Sequence, residues 1–139
     1  MHRLFLILSS MLFAGILSLP VCADGLTALG VIDQQLGSGA VARNGSEVEV
    51  NYTGWLYDEQ APDHHGAKVD SSYDRGEPIH FILGQGSVIA GWDKGIKGMH
   101  AGGRRTLLIP ARLGYGRRGV GTVPPDSALV FDIELISVH

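Results

Sequence analysis

LGQGSVIAGWDKGI, residues Leu83 to Ile96, is the stretch on which the fold turns. From Ser87 to Lys97 the apolar residues Val88, Trp92 and Ile96 recur at four-residue spacing, which predicts one face of a short, glycine-interrupted helix. Gly84-Gln85-Gly86-Ser87 starts like a dinucleotide loop, yet Ile89 stands where the third glycine belongs and no βαβ unit surrounds it. Ser87 is followed by Val88 rather than by the x-Gly of a nucleophile elbow. No nucleophile, metal-ligand set or phosphate cradle accompanies the tryptophan. The segment reads as the apolar floor of a pocket, working by shape and desolvation rather than by acid–base groups.

Outward from this helix the chain reads as strands. Glu47 to Thr53 alternates strictly, with Val48, Val50 and Tyr52 on one face, and the turn dipeptide Asn44-Gly45 introduces it. Pro78 to Leu83 predicts a short strand whose first position tolerates the missing proline donor. Arg104 to Ile109 predicts another, closed by Pro110. Leu129 to Ile136 alternates again, placing Leu129, Phe131, Ile133 and Leu135 inward and Asp132 and Glu134 outward. Half-wet alternating strands belong to an antiparallel sheet. One short helix is left to cover the other face, so the class is α+β, a curved sheet of four to six strands on a single helix. Asp58 to Lys68 is polar, holds Pro62 and Gly66, and reads as a loop. Asp24 to Ser38, with Val31-Ile32, is a lead-in able to add an edge strand.

The chain has 139 residues, 45% hydrophobic and 18% charged, which suits one packed domain. Its 20 glycines favour a turn-rich fold over a helical bundle. A net charge of -3 gives no electrostatic basis for nucleic-acid binding. Met1-His2-Arg3 followed by an apolar run from Leu4 to Leu19 reads as a secretory signal peptide cut after Ala23, with Val21 and Ala23 as the small residues of the site. The run is shorter than the ~20 residues of a spanning helix. Cleavage near Ala23-Asp24 makes the protein exported, periplasmic or secreted, and removes Cys22, the only cysteine. The division is then residues 1–23 as signal peptide, 24–43 as lead-in and 44–139 as the functional domain.

Two polar clusters stand out. Asp63-His64-His65 offers no third ligand at helical or strand spacing, so the expectation is solvated histidines and no metal. Arg117-Arg118, in a glycine-rich loop, reads as a solvated face.

VNYTGWL (Val50 to Leu56), DSSYDRG (Asp70 to Gly76), GSVIAGWDKGI (Gly86 to Ile96), GYG (Gly114 to Gly116) and PPDSALVFDIELI (Pro124 to Ile136) together resemble the FK506-binding protein (FKBP) type of peptidyl-prolyl cis-trans isomerase. Any one of these motifs is weak by itself. All five stand in family order and cover most of the chain after the leader. The resemblance implies a five- to six-stranded antiparallel half-barrel sheet wrapped around one short helix, in agreement with the strand reading. It also implies isomerase activity with no cofactor. Its partners are proline-containing unfolded or partly folded polypeptides and macrolide inhibitors such as FK506 or rapamycin, bound by a monomer. By motif, the family's catalytic positions fall on Asp70, Tyr115, Trp92 and Ile89. Its substrate-binding positions fall on Tyr52, Val69, Arg75, Ile79, Phe81, Val88, Val123 and Phe131. Trp92 is then the floor, the Ile89 N–H and the Tyr115 hydroxyl hold substrate carbonyls, and Asp70, itself held by Tyr52 and Arg75, sits beside the twisting amide.

The resemblance has departures. Val69 stands where a phenylalanine is usual, and Ile79 replaces another aromatic, both giving a smaller wall. The Gly119-Val120-Gly121-Thr122 loop lacks a histidine found in some members. The alternative carried by these changes is a low-turnover module or chaperone that binds proline segments on the same fold. A further alternative is a form left uncleaved and membrane-tethered.

Overall fold

The computed structural model describes residues 25–139. The basic–apolar leader, Cys22 and the expected cleavage point after Ala23 lie outside the described residues.

Six strands form one antiparallel sheet: β1 (Gly30–Gln35), β2 (Glu47–Tyr57), β3 (His65–Ser71), β4 (Ile79–Ile82), β5 (Arg104–Ile109) and β6 (Leu129–Val138). A single helical turn, α1 (Ser72–Arg75), follows β3, and the seven-residue helix α2 (Ala90–Ile96) follows β4. The strand order is β1-β5-β6-β2-β3. β2 is the spine. It pairs with β6 along one edge, and on the other with β4 through Glu47–Val50 and with β3 through Thr53–Tyr57.

Binary patterning explains how the sheet and helix meet. Val48, Val50 and Tyr52 of β2, and Leu129, Phe131, Ile133 and Leu135 of β6, are buried, and so are Leu107 and Ile109 of β5. With Trp92 and Ile96 of α2 they make one cluster, each fully buried aliphatic contributing about 1.5–3 kcal/mol. The glycines that interrupt α2 are what let it settle on β5. A Cβ on Gly91 would fall 2.6 Å from Ile109 Cγ2, and one on Gly95 2.6 Å from Leu107 Cδ2. Helix propensity is sacrificed there, at about 1 kcal/mol per glycine, for backbone-close packing.

Three differences from the sequence reading have physical causes. α2 begins at Ala90, not Ser87, because Ile89 is extended at ψ 148° and Gly86 has φ +72°. Val88 therefore lies in the approach to the helix. The lead-in does add an edge strand, as its sequence allows: Gly30–Gln35 pairs with β5 from Gly30↔Leu108 to Gln35↔Arg104. The polar segment 58–68 is a loop only in its first half. From His65 it becomes β3, an edge strand held by backbone pairing, which needs no apolar alternation. Its histidines are not simply solvated: His65 lies flat on Trp55 (centroids 3.6 Å, 6° between planes) and His64 on Tyr57 (4.9 Å, 27°).

Candidate active site

Between the concave face of the sheet and α2 a pocket of about 360 Å³ opens. Trp92 is its floor. α2 presents the indole, which Tyr52 and Phe131 meet at centroid distances of 4.7 and 5.2 Å and interplanar angles of 75° and 89°. The indole N–H is buried and, among the described residues, finds no hydrogen-bond acceptor; rings surround it. Phe131 reaches its position because its β2 partner is Gly54. A Cβ there would fall 2.3 Å from a carbon of the Phe131 ring.

The wall opposite depends on a fault in β3. Gly54 pairs with Asp70 and Trp55 with Lys68, so Val69 is an extra residue in the register. Successive side chains of a regular strand face opposite sides, but a bulge re-aims them. Val69 and Asp70, adjacent in sequence, both border the pocket.

Asp70 is the one acid of that wall. The Tyr52 hydroxyl donates to its Oδ2, Arg75 Nη1 to Oδ1 at 2.6 Å, and the Ser71 N–H to Oδ1 at 2.8 Å. Arg75 Nη2 donates to the Tyr52 oxygen at 2.6 Å, closing a three-membered network. Burial pushes the carboxyl upward, yet the bonds from Tyr52, Arg75 and Ser71 outweigh it and hold Asp70 below the ordinary carboxylate value. Burial first, then the Asp70 bond, raises the Tyr52 phenol, with Arg75 opposing in part. Burial and the Asp70 charge raise Tyr115 as well. At neutral pH the site therefore holds an ionised carboxylate and two neutral phenols. Ser72, fully buried, accepts from the Tyr52 N–H at 2.8 Å and donates to Asn51 Oδ1 at 2.8 Å, pinning α1 and its Arg75 to β2.

Of the residues singled out in the sequence, all but Arg75 and Phe81 border the pocket. Arg75 stands behind Asp70 and Tyr52. Phe81 backs Trp92 at 5.9 Å. Val69 and Ile79 both face the cavity, so the two departures from the family pattern sit in its wall. Ser87, Val120, Gly121 and Thr122 also line it and were missed. The last three fall between two residues already singled out, Tyr115 and Val123, and that bracketing was the available signal. Asp93 was missed too. Its carboxylate accepts from the Gly84 N–H at 2.8 Å and the Gly86 N–H at 3.0 Å, fixing the turn that delivers Val88 and Ile89. The Tyr115 hydroxyl and the Ile89 N–H have no partner among the described residues, leaving two donors free at the rim.

Comparison with known proteins identifies the family. Residues 39–136 match the family model described as FKBP-type peptidyl-prolyl cis-trans isomerase. The chain belongs to this family. A Neisseria meningitidis serogroup A protein named FK506-binding protein is 46% identical over 113 residues, 81% of this chain and 97% of that one. The Saccharomyces cerevisiae peptidyl-prolyl cis-trans isomerase FPR2 is 51% identical over 98 residues, 70% of this chain and 68% of that one. Among solved structures, FkpA from Escherichia coli superposes with a TM-score of 0.69 at 42% identity, covering 79% of this chain and 47% of that one. AtFKBP13 superposes with a TM-score of 0.70 at 41% identity, covering 80% and 93%. The sheet and, among the described residues, its single true helix are those of the FKBP fold. Among the described residues no three His, Cys, Asp or Glu side chains converge as a metal-ligand set.

Proposed function

We propose that this FKBP-type isomerase accelerates X-Pro rotation in exported polypeptides, with Trp92 as the floor under the proline ring and Asp70 beside the twisting amide. The observation that carries the roles is an apolar cavity whose single wall carboxylate is kept ionised and fixed by Tyr52 and Arg75. An X-Pro bond rotates over a barrier of about 20 kcal/mol because the twist breaks amide resonance. Water favours the planar, more dipolar amide. Moving the bond into an apolar slot weakens that preference and favours the twisted form. Lowering the barrier by ~5.5 kcal/mol speeds exchange about four decades.

The free donors of Ile89 and Tyr115 hold the carbonyls that flank the proline, so the chain is anchored while one amide turns. Neither proton transfer nor a covalent step is needed, which suits a site of neutral phenols and one locked carboxylate. Export follows from the leader at residues 1–23, and the pocket is complete within one chain, so a monomer suffices. NMR exchange spectroscopy on an X-Pro peptide tests the activity, and a macrolide such as FK506 competes for the same pocket. Catalysed exchange that Trp92→Leu abolishes in folded protein is expected. Exchange at the uncatalysed rate sinks the proposal.

A low-turnover binding module remains as a second reading, favoured by the aliphatic Val69 and Ile79 in the wall. Val69→Phe separates the two. A large gain in rate means the natural pocket is catalytically slack, whereas an unchanged or lower rate favours the enzyme.

A further inference from the structure

Arg117 and Arg118 form an exposed pair whose position gives them a task. They occupy the apex of the loop between Tyr115 and Val120, both of which border the pocket. The loop is held by its backbone. The Gly119 N–H donates to Tyr115 O at 3.2 Å, the Gly116 N–H to Ala111 O at 2.9 Å, and the Asp126 N–H to Gly116 O at 2.8 Å. Val120 and Val123 bridge each other at its base. Gly116 and Gly119, at φ +58° and +62°, take backbone conformations that a side chain resists. The two guanidinium groups are thus carried on a fixed rim.

Their lack of partners separates them from most of the other arginines. Arg75 is tied to Asp70, Arg104 to Glu134, Arg105 to Asp33 and Arg112 to the Thr27 carbonyl. Arg117 and Arg118 are exposed and make no ion pair or hydrogen bond to any described residue. Asp70, the acid in the pocket wall, has its charge answered by Arg75. A segment lying across Tyr115 with its proline on Trp92 passes two adjacent, unanswered positive charges.

We infer that Arg117 and Arg118 select proline segments flanked by acidic residues. This rests on the isomerase reading and names its substrate class. It runs against the molecule as a whole, whose net charge of -3 favours cationic peptides. Rim charges act mainly on encounter and are screened by salt.

The test uses three X-Pro peptides alike except for two flanking glutamates, glutamines or lysines, with kcat/KM from exchange kinetics and affinity from calorimetry. At about 20 mM salt the glutamate peptide is expected to exceed the lysine peptide about fivefold, with the ratio approaching one near ~0.5 M. The double variant R117E/R118E inverts the ratio and R117K/R118K retains it, with thermal melts confirming the fold. A wild-type ratio at or below one in low salt overturns the inference, as does a ratio unchanged in R117E/R118E. Failure of the glutamine peptide to turn over defeats the isomerase reading instead, and the calorimetric ratio then decides the arginine inference by itself.

Discussion

β3 is fastened to β2 at both ends by unlike chemistry. At its start, His65 lies flat on Trp55 and His64 on Tyr57. Near its end, Asp70 is bound by the Tyr52 hydroxyl and by Arg75. The stacks are planar, half-exposed and need no fixed charge. The Asp70 end holds an ionised carboxylate beside apolar walls, its side chain still 46% exposed, where three donors outweigh the cost of partial burial. The charged end borders the pocket, and the stacked end lies away from it.

Breaking the register that makes the difference should have the largest effect. Gly54→Ala drives a Cβ into the Phe131 ring beside the Asp70 pairing. A loss of about 2–3 kcal/mol in denaturant unfolding is expected, as for overpacked cores. A variant as stable as the wild type would show that the ring moves aside freely.

Asp70→Ala comes next. It should lower kcat/KM on the order of tenfold while the fold survives, since it removes a group from the reaction wall. Arg75→Gln, one layer back, should cost about threefold and let the Asp70 carboxyl titrate higher, observable by carboxyl NMR. An unmoved titration would mean that the Tyr52 and Ser71 bonds hold it unaided.

The sign of the pH dependence follows. Asp70 titrates lower in the folded chain than in the unfolded one. Its stabilisation is present above the unfolded value of about 4 and disappears as pH falls through the folded value. Asp70→Asn should flatten this part of the acid limb in urea unfolding measured below about pH 4. An identical acid limb in the variant would remove the carboxylate from the stability account. The smallest effect belongs to the other end: His65→Ala should cost about 1 kcal/mol, the worth of one ring pair. Its isomerase rate should stay within about twofold. A larger drop in rate would show that the stack positions Asp70 along β3.

Much of this was legible in the chain. The period of two in Val48, Val50 and Tyr52, and again from Leu129 to Leu135, revealed which faces are buried, because side-chain direction in a strand follows from parity. Trp92 and Ile96 at helical spacing marked the inward side of α2. The limits are equally physical. β3 was hidden because an edge strand is held through its backbone, and HGAKVDS carries no apolar alternation to announce it. The histidines looked solvated because their ring partners, Trp55 and Tyr57, lie on another strand.

By itself the sequence determined the α+β class, the inward faces and the family, since each rests on local periodicity or on motifs in order. Only the tertiary structure decided how the site is put together. Val69 and Asp70 share one wall because the pairing with β2 slips by a residue, and no property of either residue encodes that slip. Arg75 becomes a brace rather than a lining group because α1 is pinned by Ser72. Arg117 and Arg118 stand beside the pocket because the loop that carries them contributes Tyr115, Val120 and Val123 to its lining. Register and loop closure are set by partners distant in the chain, so they appear only once the chain is folded.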